Sequence, residues 1–465
     1  MPKTVSDIRP TGYCVHTSRD REEMLTRLEL KSINGLFSDV PEGIKLDGLL
    51  NLPDRLSEWA LLRDVRAFAT RNATTQSHSY FLGGGAYEHY IPAVIDAIVS
   101  RGEFLTAYTP YQPEMSQGLL QALHEFQILV GRLLGLPSVN CSVYDGATAL
   151  AEACWMMCSK SGKRSVVLPH SLWPDYRLVL ETYLEARSVR ILWASQDDET
   201  GRMQEAFLAE MIALPDIAGV VVQTPNALGI VENIQAISAL CQRNGLLLCV
   251  AVNPLLCGLV EPPGAQGADI VTCEGQPLGI PLSAGGPYIG IIATTRQLEP
   301  YIPGRLVGQV HDLNGKQAYA LVKEDREQHV ARDKATSHIC SNQALNALRV
   351  VVYLASLGEK NFMELAQINA ANARYLNQKL LALPGVQQLR NGFSFNEFAI
   401  ELPMSASRYC EKMQSCGIFA GLPIEFDLVG SERGLLVSVT ETKTQEDLDM
   451  YARYAALCLT PECNV

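Results

Sequence analysis

The chain offers no lysine between Lys163 and Lys316. Along that interval no side chain supplies the primary amine that covalent carbonyl chemistry uses. Long apolar runs are missing as well. No segment approaches the roughly 18 uninterrupted apolar residues that a membrane span requires, so no membrane partner is expected. Basic charge is outweighed, with a formal net charge of -12 and no Lys/Arg-rich run. A surface of that sign excludes nucleic acid, whose phosphates need cationic partners. Met1 to Leu28 mixes acidic and basic residues, which fits neither a secretory signal nor a transit peptide. A cysteine framework is absent too: the 13 cysteines are odd in number and scattered. Several, such as Cys249, Cys257 and Cys273, lie in apolar runs, as buried thiols of a reducing compartment do. Cys154 and Cys158 could share one helix face, yet no second pair or neighbouring histidine completes a ligand set, so no metal is expected. A cytoplasmic location follows as the expectation.

What is present is ordinary globular composition, 47% hydrophobic and 19% charged over 465 residues. That length predicts one large domain and a smaller one. Strand-like apolar runs occur at Arg164–Pro169, Arg190–Ser195, Ala218–Thr224, Gly245–Val252, Asp269–Cys273 and Ile289–Thr294. Helical patterns at Asp175–Glu185, Gln204–Ala213 and Ile234–Asn244 separate several of them. Such alternation predicts an α/β fold with a mainly parallel sheet covered on both faces, its last strand open to either direction. Helical patterning at Arg21–Ile33 and Leu56–Thr70 predicts an N-terminal helical arm over residues 1–70. The large domain is placed at 71–335. A long helical segment (Ala344–Leu357, Asn361–Leu383), strands at Phe398–Leu402 and Leu435–Val439, and a last helix Gln445–Cys458 predict a small C-terminal α+β domain over 336–465.

Four features stand out. Asp145, Gly146 and Thr148 open a helix, where they can cap its free amides or, as a phosphate cup, seat an anion. Gly83-Gly84-Gly85 fits no dinucleotide or triphosphate fingerprint and reads as a hinge or tight loop. The stretch from about 75 to 115, rich in Gly, Tyr and Pro through Ser79–Pro92 and Thr106–Gly118, is poor helix and poor strand, and reads as ordered loop. Arg305, Arg326, His329, Arg332 and Lys334 form a charge cluster without amphipathic period, either a solvated face or an ordered functional loop.

Taken together these segments resemble the glycine decarboxylase P-protein of the glycine cleavage system, in its split form with separate alpha and beta chains. The likeness rests on FLGGGAYEHYIP (Phe81–Pro92), TAYTPYQPEMSQG (Thr106–Gly118), NCSVYDGATALAEA (Asn140–Ala153), QTPNALGIVE (Gln223–Glu232), PPGAQGADI (Pro262–Ile270), GQPLGIPLSAGGPYIG (Gly275–Gly290), PGRLVG (Pro303–Gly308) and REQHVARDKATSHICSNQAL (Arg326–Leu345). NEFAIELP and VTETKTQEDLD extend it through the C-terminal domain. The resemblance implies a fold type I pyridoxal-phosphate-enzyme-like large domain.

It also implies a division of labour. Where the beta chain of the family carries a His-Lys pair, this chain reads Gly275-Gln276-Pro277, and the aspartate expected opposite the pyridine nitrogen is replaced by Asn253. An amide cannot perform transimination, and a neutral Asn cannot balance a pyridinium. The alpha chain is therefore expected to bind no cofactor covalently, with pyridoxal phosphate in the beta subunit and Asp145, Gly146 and Thr148 left as a degenerate cup. Its expected contribution is a set of loops completing the beta chain's site, carried by Tyr108, Tyr111, Glu114, Arg326, His329 and Lys334. The whole enzyme, an oxidoreductase-class glycine decarboxylase, would pass the aminomethyl group to the lipoyl arm of the H-protein, as an alpha2beta2 heterotetramer. Trp173-Pro174, Ala331 and His338 depart from the family pattern. Two other readings remain open: a self-sufficient decarboxylase or lyase of the same fold using Lys316, Lys323 or Lys334, and a non-catalytic scaffold.

Overall fold

The structure, a computed structural model, describes residues 15–46, 50–339 and 342–460. Cys340 and Ser341 of the family-like loop, and the two chain ends, lie outside the described residues. The chain divides into two compact units at Ala73/Thr74.

The first unit is built of short helices. Ser18–Arg27 begins with a capping box between Thr17 and Asp20, the reciprocal pairing that satisfies two free amides. The helix expected over Arg21–Ile33 ends sooner, because Glu29 takes a left-handed φ of 58° and Leu30 N–H returns to the Leu25 carbonyl at 2.9 Å. That closure satisfies the last carbonyls and stops propagation. Ile33–Phe37 is a separate 3-10 turn. Glu58–Ala69 is helical, capped by the Ser57 hydroxyl. No described side chain of this unit is buried.

The second unit is organised by a seven-stranded sheet. Its strands are β1 (Ser138–Val139), β2 (Ser165–Pro169), β3 (Arg190–Ala194), β4 (Ile217–Thr224), β5 (Leu247–Val252), β6 (Ile270–Glu274) and β7 (Gly290–Thr294). The order across the sheet is β1-β7-β6-β5-β4-β2-β3. Strands β2 to β6 pair in parallel. β7 runs antiparallel to β6, which settles the direction left open for the last run. Every residue of β2, β4, β6 and β7 is buried. The continuous apolar runs are those of strands covered on both faces. The helix Gly146–Ser161 is buried along most of its length, Cys154 and Cys158 included. Among the described residues no helix is long and apolar enough to cross a membrane.

Two segments differ from the sequence reading. Between the Gly/Tyr/Pro-rich loops the apolar run AVIDAIV forms a helix, Ala93–Val99, started by Pro92. The first part of the charged region after Arg305 is a β-hairpin, Leu306–His311 against Gln317–Val322. Asp312 turns it by accepting the amides of Asn314 and Lys316 at 2.8 Å each. The Asp-Leu-Asn-Gly turn is its signal in the sequence.

Past the hairpin, Ala344–Leu381 is one long helix broken at Gly358, whose φ of 69° and ψ of 168° are not helical. It leads to a four-stranded antiparallel sheet, Gln387–Gln388, Glu397–Glu401, Gly434–Ser438 and Leu422–Pro423 in spatial order. Phe398, Ile400, Tyr409, Leu435, Val437 and Tyr451 build its core.

Candidate functional site

The C-terminal end of β6 is where an open α/β sheet exposes its reactive groups. Here β6 ends in Glu274, and Gln276 follows two residues later. Gln276 is 1% exposed. Its Oε1 accepts the backbone N–H of Tyr87 at 2.9 Å, and its Nε2 donates to the carbonyls of Tyr87 and Ile280, each at 2.9 Å. Both amide N–H bonds are thus used inside the fold.

Tyr87 belongs to the loop that opens with the glycine triplet. Its hydroxyl donates to Glu397 Oε2 at 2.9 Å, while Glu397 Oε1 accepts Gly84 N–H at 2.6 Å. A side chain at Gly83 would place its Cβ 2.1 Å from Glu397 Oε1, and Gly85 adopts a φ of 114°. The triplet is a close approach and a left-handed turn together, which only glycine tolerates. Burial pushes the Glu397 carboxyl up to about 7, opposed by the Gly84 amide and the Tyr87 hydroxyl.

The helix Gly146–Ser161 starts beside these groups. Asp145 caps it, accepting Thr148 N–H at 2.7 Å. Gly146 N–H donates to Glu274 Oε2 at 3.0 Å, and Glu274 Oε1 accepts the amides of Gln276 and Ile289 at 3.0 and 3.1 Å. Burial raises the Glu274 carboxyl to about 8 against the pull of those three donors, and the neighbouring Asp145 charge adds to the rise. Trp173, 7% exposed, packs edge-on to Tyr176 with ring centres 5.2 Å apart. Asn253 Oδ1 is turned back onto Leu255 N–H at 3.1 Å. What remains between Gly85, Tyr87, Trp173, Tyr176, Asn253 and Glu274 is a cavity of about 10 Å³, room for at most one water.

A pyridoxal phosphate does not fit these residues. No amine stands at the strand end and no carboxylate at Asn253. At the helix start the Gly146 and Thr148 amides already bond carboxyl groups of the chain, and the space beside them holds at most one water.

The loop residues expected to complete a partner's site are partly gathered. Tyr111 meets His329 edge to face, ring centres 6.3 Å apart. Its hydroxyl accepts from Arg305 Nη2 at 2.9 Å, and the guanidinium lies 5.3 Å from its ring. Arg326 donates to the carbonyls of Ile302 and, at 2.7 Å, Gly304, which ties the later loop to the backbone beside Arg305. His329 pairs with Glu324 at 2.9 Å. Tyr108, Glu114 and Lys334 are exposed and stand outside this cluster. Ala331 ends a one-turn helix and His338 is exposed.

Sequence reasoning missed Glu274, Tyr87, Tyr176 and Glu397. A strand ending in a charged residue directly before Gly-Gln-Pro was the available signal for Glu274. Arg305, read only as part of a charge cluster, bonds the Tyr111 hydroxyl and lies over its ring.

A family model for the glycine cleavage system P-protein matches residues 11–453. A probable glycine dehydrogenase (decarboxylating) subunit 1 from Oceanobacillus iheyensis is 43% identical over 442 residues, covering 95% of this chain and 98% of that one. A crystal structure of glycine decarboxylase (P-protein) of the glycine cleavage system, in inhibitor-bound form, superposes with a TM-score of 0.88 at 37% identity, covering 97% of this chain and 100% of that one. A Lactobacillus brevis glutamate decarboxylase shares the fold alone, at a TM-score of 0.69 and 14% identity, over 91% of this chain and 98% of that one.

Proposed function

The chain belongs to the glycine cleavage system P-protein family, and from that premise we propose that it is subunit 1 of a two-subunit glycine dehydrogenase (decarboxylating). In this reading pyridoxal phosphate resides in the partner subunit, and the present chain completes the partner's cavity. The observation that carries the proposal is Gln276: an amide stands where the amine is needed, and its hydrogen bonds are spent on Tyr87 and Ile280.

Support for a partner comes from the first unit, which presents apolar side chains and buries none of those described. On the helix Glu58–Ala69, Leu61, Val65 and Phe68 are 50%, 51% and 65% exposed. Their spacing makes one stripe, and such stripes on stable proteins are covered by another surface. The partner-facing chemistry is assigned to the exposed Tyr111 and His329, with the buried Arg305 holding the Tyr111 hydroxyl and Arg326 fastening the later loop. Tyr108, Glu114 and Lys334 are available at the surface for the same cavity. A guanidinium next to a phenol suits a small carboxylate such as that of glycine. The lipoylated H-protein as acceptor, an alpha2beta2 assembly and a cytoplasmic location complete the proposal.

Glycine–bicarbonate exchange tests it, measured with this chain, with the candidate subunit 2, and with both. Exchange only in the mixture is the expected result. Exchange by this chain alone, with pyridoxal phosphate trapped on it by borohydride, would overturn the proposal.

A further inference from the structure

The helix Gln117–Leu134 follows the loop that carries Tyr111, and its first residue reaches in two directions. Gln117 Nε2 donates to the Pro113 carbonyl at 2.7 Å and to the Tyr319 carbonyl at 2.8 Å, while its Oε1 accepts Tyr319 N–H at 2.9 Å. A glutamine amide carries one acceptor oxygen and two N–H donors, and here all are engaged. Tyr319 lies opposite Gln309 in the hairpin, and the two groups that Gln117 takes belong to the outer edge. Edge groups find no partner within the hairpin, so Gln117 stands in for a further strand. Gln127 of the same helix does likewise for Val307, accepting its N–H and donating to its carbonyl at 2.9 Å each. The loop itself has few other ties. Among the described residues from 107 to 116, Tyr111 bonds Arg305 and Pro113 bonds Gln117; the remaining hydrogen bonds close turns or join the flanking helices. Arg305 stands directly before the strand Leu306–His311. Both ties therefore lead to one hairpin, Tyr111 through Arg305 to its root and Pro113 through Gln117 to its second strand.

We propose that Gln117 is a positioning residue for the partner's cavity: it locks the loop bearing Tyr111 onto the same hairpin whose root bears Arg305, and so fixes where the phenol stands. The inference rests on the function proposed above and adds to it a residue that acts through Tyr111. The Tyr111 ring is half exposed. One bond from Arg305 fixes its hydroxyl but leaves the loop free to pivot about that point. A second tie at Pro113 removes the pivot. Such preorganisation matters because a binding group displaced by about 1 Å can cost more than the contacts that hold it.

The test is glycine–bicarbonate exchange by the full-length chain at saturating subunit 2. Gln117→Leu removes all three bonds at a part-buried position, where water can reach the groups left behind, so the chain should stay folded. Its kcat/KM should fall about fivefold, the scale of one net hydrogen bond, with the loss carried mainly by KM. Combined with Tyr111→Phe it should lose no more than Tyr111→Phe alone, since residues that act as a unit are not additive. Gln121→Leu, on the same helix with its amide on Glu125, should match the unsubstituted chain. Full activity of Gln117→Leu overturns the proposal, as does an equal loss from Gln121→Leu. A double variant that multiplies both losses also overturns it, because a general loosening would act that way. Should Gln117→Leu fail to fold, Gln117→Glu is read in the same manner: it keeps the acceptor for Tyr319 N–H and gives up both donors. No exchange by the unsubstituted pair would instead remove the function proposed above. The lock is then read on the single chain by hydrogen exchange. Residues 107–116 should exchange faster in Gln117→Leu than in Gln121→Leu, and equal rates overturn the lock.

Discussion

The side-chain amide of Gln276 pairs with the backbone of Tyr87 from both sides, accepting its N–H and donating to its carbonyl at 2.9 Å each. The two residues are 189 positions apart. This pairing converts the strand end into a fastening for the glycine-triplet loop. It also means that restoring an amine is not equivalent to restoring a cofactor site.

Gln276→Lys is therefore expected to gain no cofactor. An ammonium can donate to the Tyr87 carbonyl but cannot accept its N–H, and it would be a buried cation where the side-chain amide now bonds only backbone groups. Leaving one buried amide unpaired costs about 1–3 kcal/mol, and the buried charge adds to that. The variant should unfold earlier and emerge from gel filtration free of pyridoxal phosphate absorbance. Stoichiometric retention of the cofactor would show that the amine alone had been missing.

Glu397 gives the fold a pH dependence of definite sign. Its carboxyl sits at about 7 when folded, against an ordinary value of 4.5. Between those values the folded chain holds a proton that the unfolded chain has released. Stability from this group is complete below about 4.5 and declines as pH rises to about 7, by at most about 1.4 kcal/mol per unit. Glu397→Gln removes the titration while keeping both bonds, since its oxygen can accept Gly84 N–H and its nitrogen can donate to the Tyr87 hydroxyl. Urea unfolding at stepped pH should show a shallower decline in the variant over that window. Parallel curves for the two proteins would dismiss Glu397 as the source. Glu274, raised to about 8, contributes in the same direction and should leave a slope that persists to higher pH.

How much of this was legible beforehand depends on the kind of signal. β2, β4, β6 and β7 are buried on both faces, so their unbroken apolar runs were readable and a mainly parallel sheet followed. Gln276 drew notice through the family resemblance, which sets it against a lysine, and an amide for an amine is a change of chemistry. Its new partners were not readable. Tyr87 and Gln276 are joined by backbone atoms that every residue possesses, and no side-chain type announces such a bond. Glu274 and Glu397 lay just outside the apolar runs Asp269–Cys273 and Phe398–Leu402, and their burial is produced by chain crossings far away in sequence. The hairpin after Arg305 hid for a different reason: its alternation is weak and its outer residues are polar, so charge dominated the pattern.

Tyr111 supplies the sharpest test among the gathered loop residues. Tyr111→Phe keeps the ring against His329 and deletes the acceptor of Arg305 Nη2. The ring is 52% exposed, so the thermal midpoint should hardly move. Glycine–bicarbonate exchange by the reconstituted pair should fall about tenfold, which corresponds to about 1.4 kcal/mol. A loss in kcat/KM carried mainly by KM would mark Arg305 and Tyr111 as a carboxylate anchor. An unchanged rate would remove Tyr111 from the site.

The stripe on the helix Glu58–Ala69 allows the partner surface to be tested separately from catalysis. Leu61→Ser and Phe68→Ser remove apolar side chains that their own unit leaves 50% and 65% exposed, so the unfolding midpoint of the chain should be preserved. If subunit 2 covers this face, each truncation withdraws buried area from the interface, and a central aromatic contact is worth about 2 kcal/mol. Phe68→Ser should then weaken association with subunit 2 by about thirtyfold by that measure, with Leu61→Ser giving a smaller loss. Sedimentation or titration of the two purified subunits reads this directly. At saturating subunit 2 the exchange activity should return, because the stripe carries none of Tyr111, Arg305 and His329. Association unaffected by both substitutions would mean that subunit 2 does not cover the stripe, and the partner surface would have to be sought elsewhere on the chain.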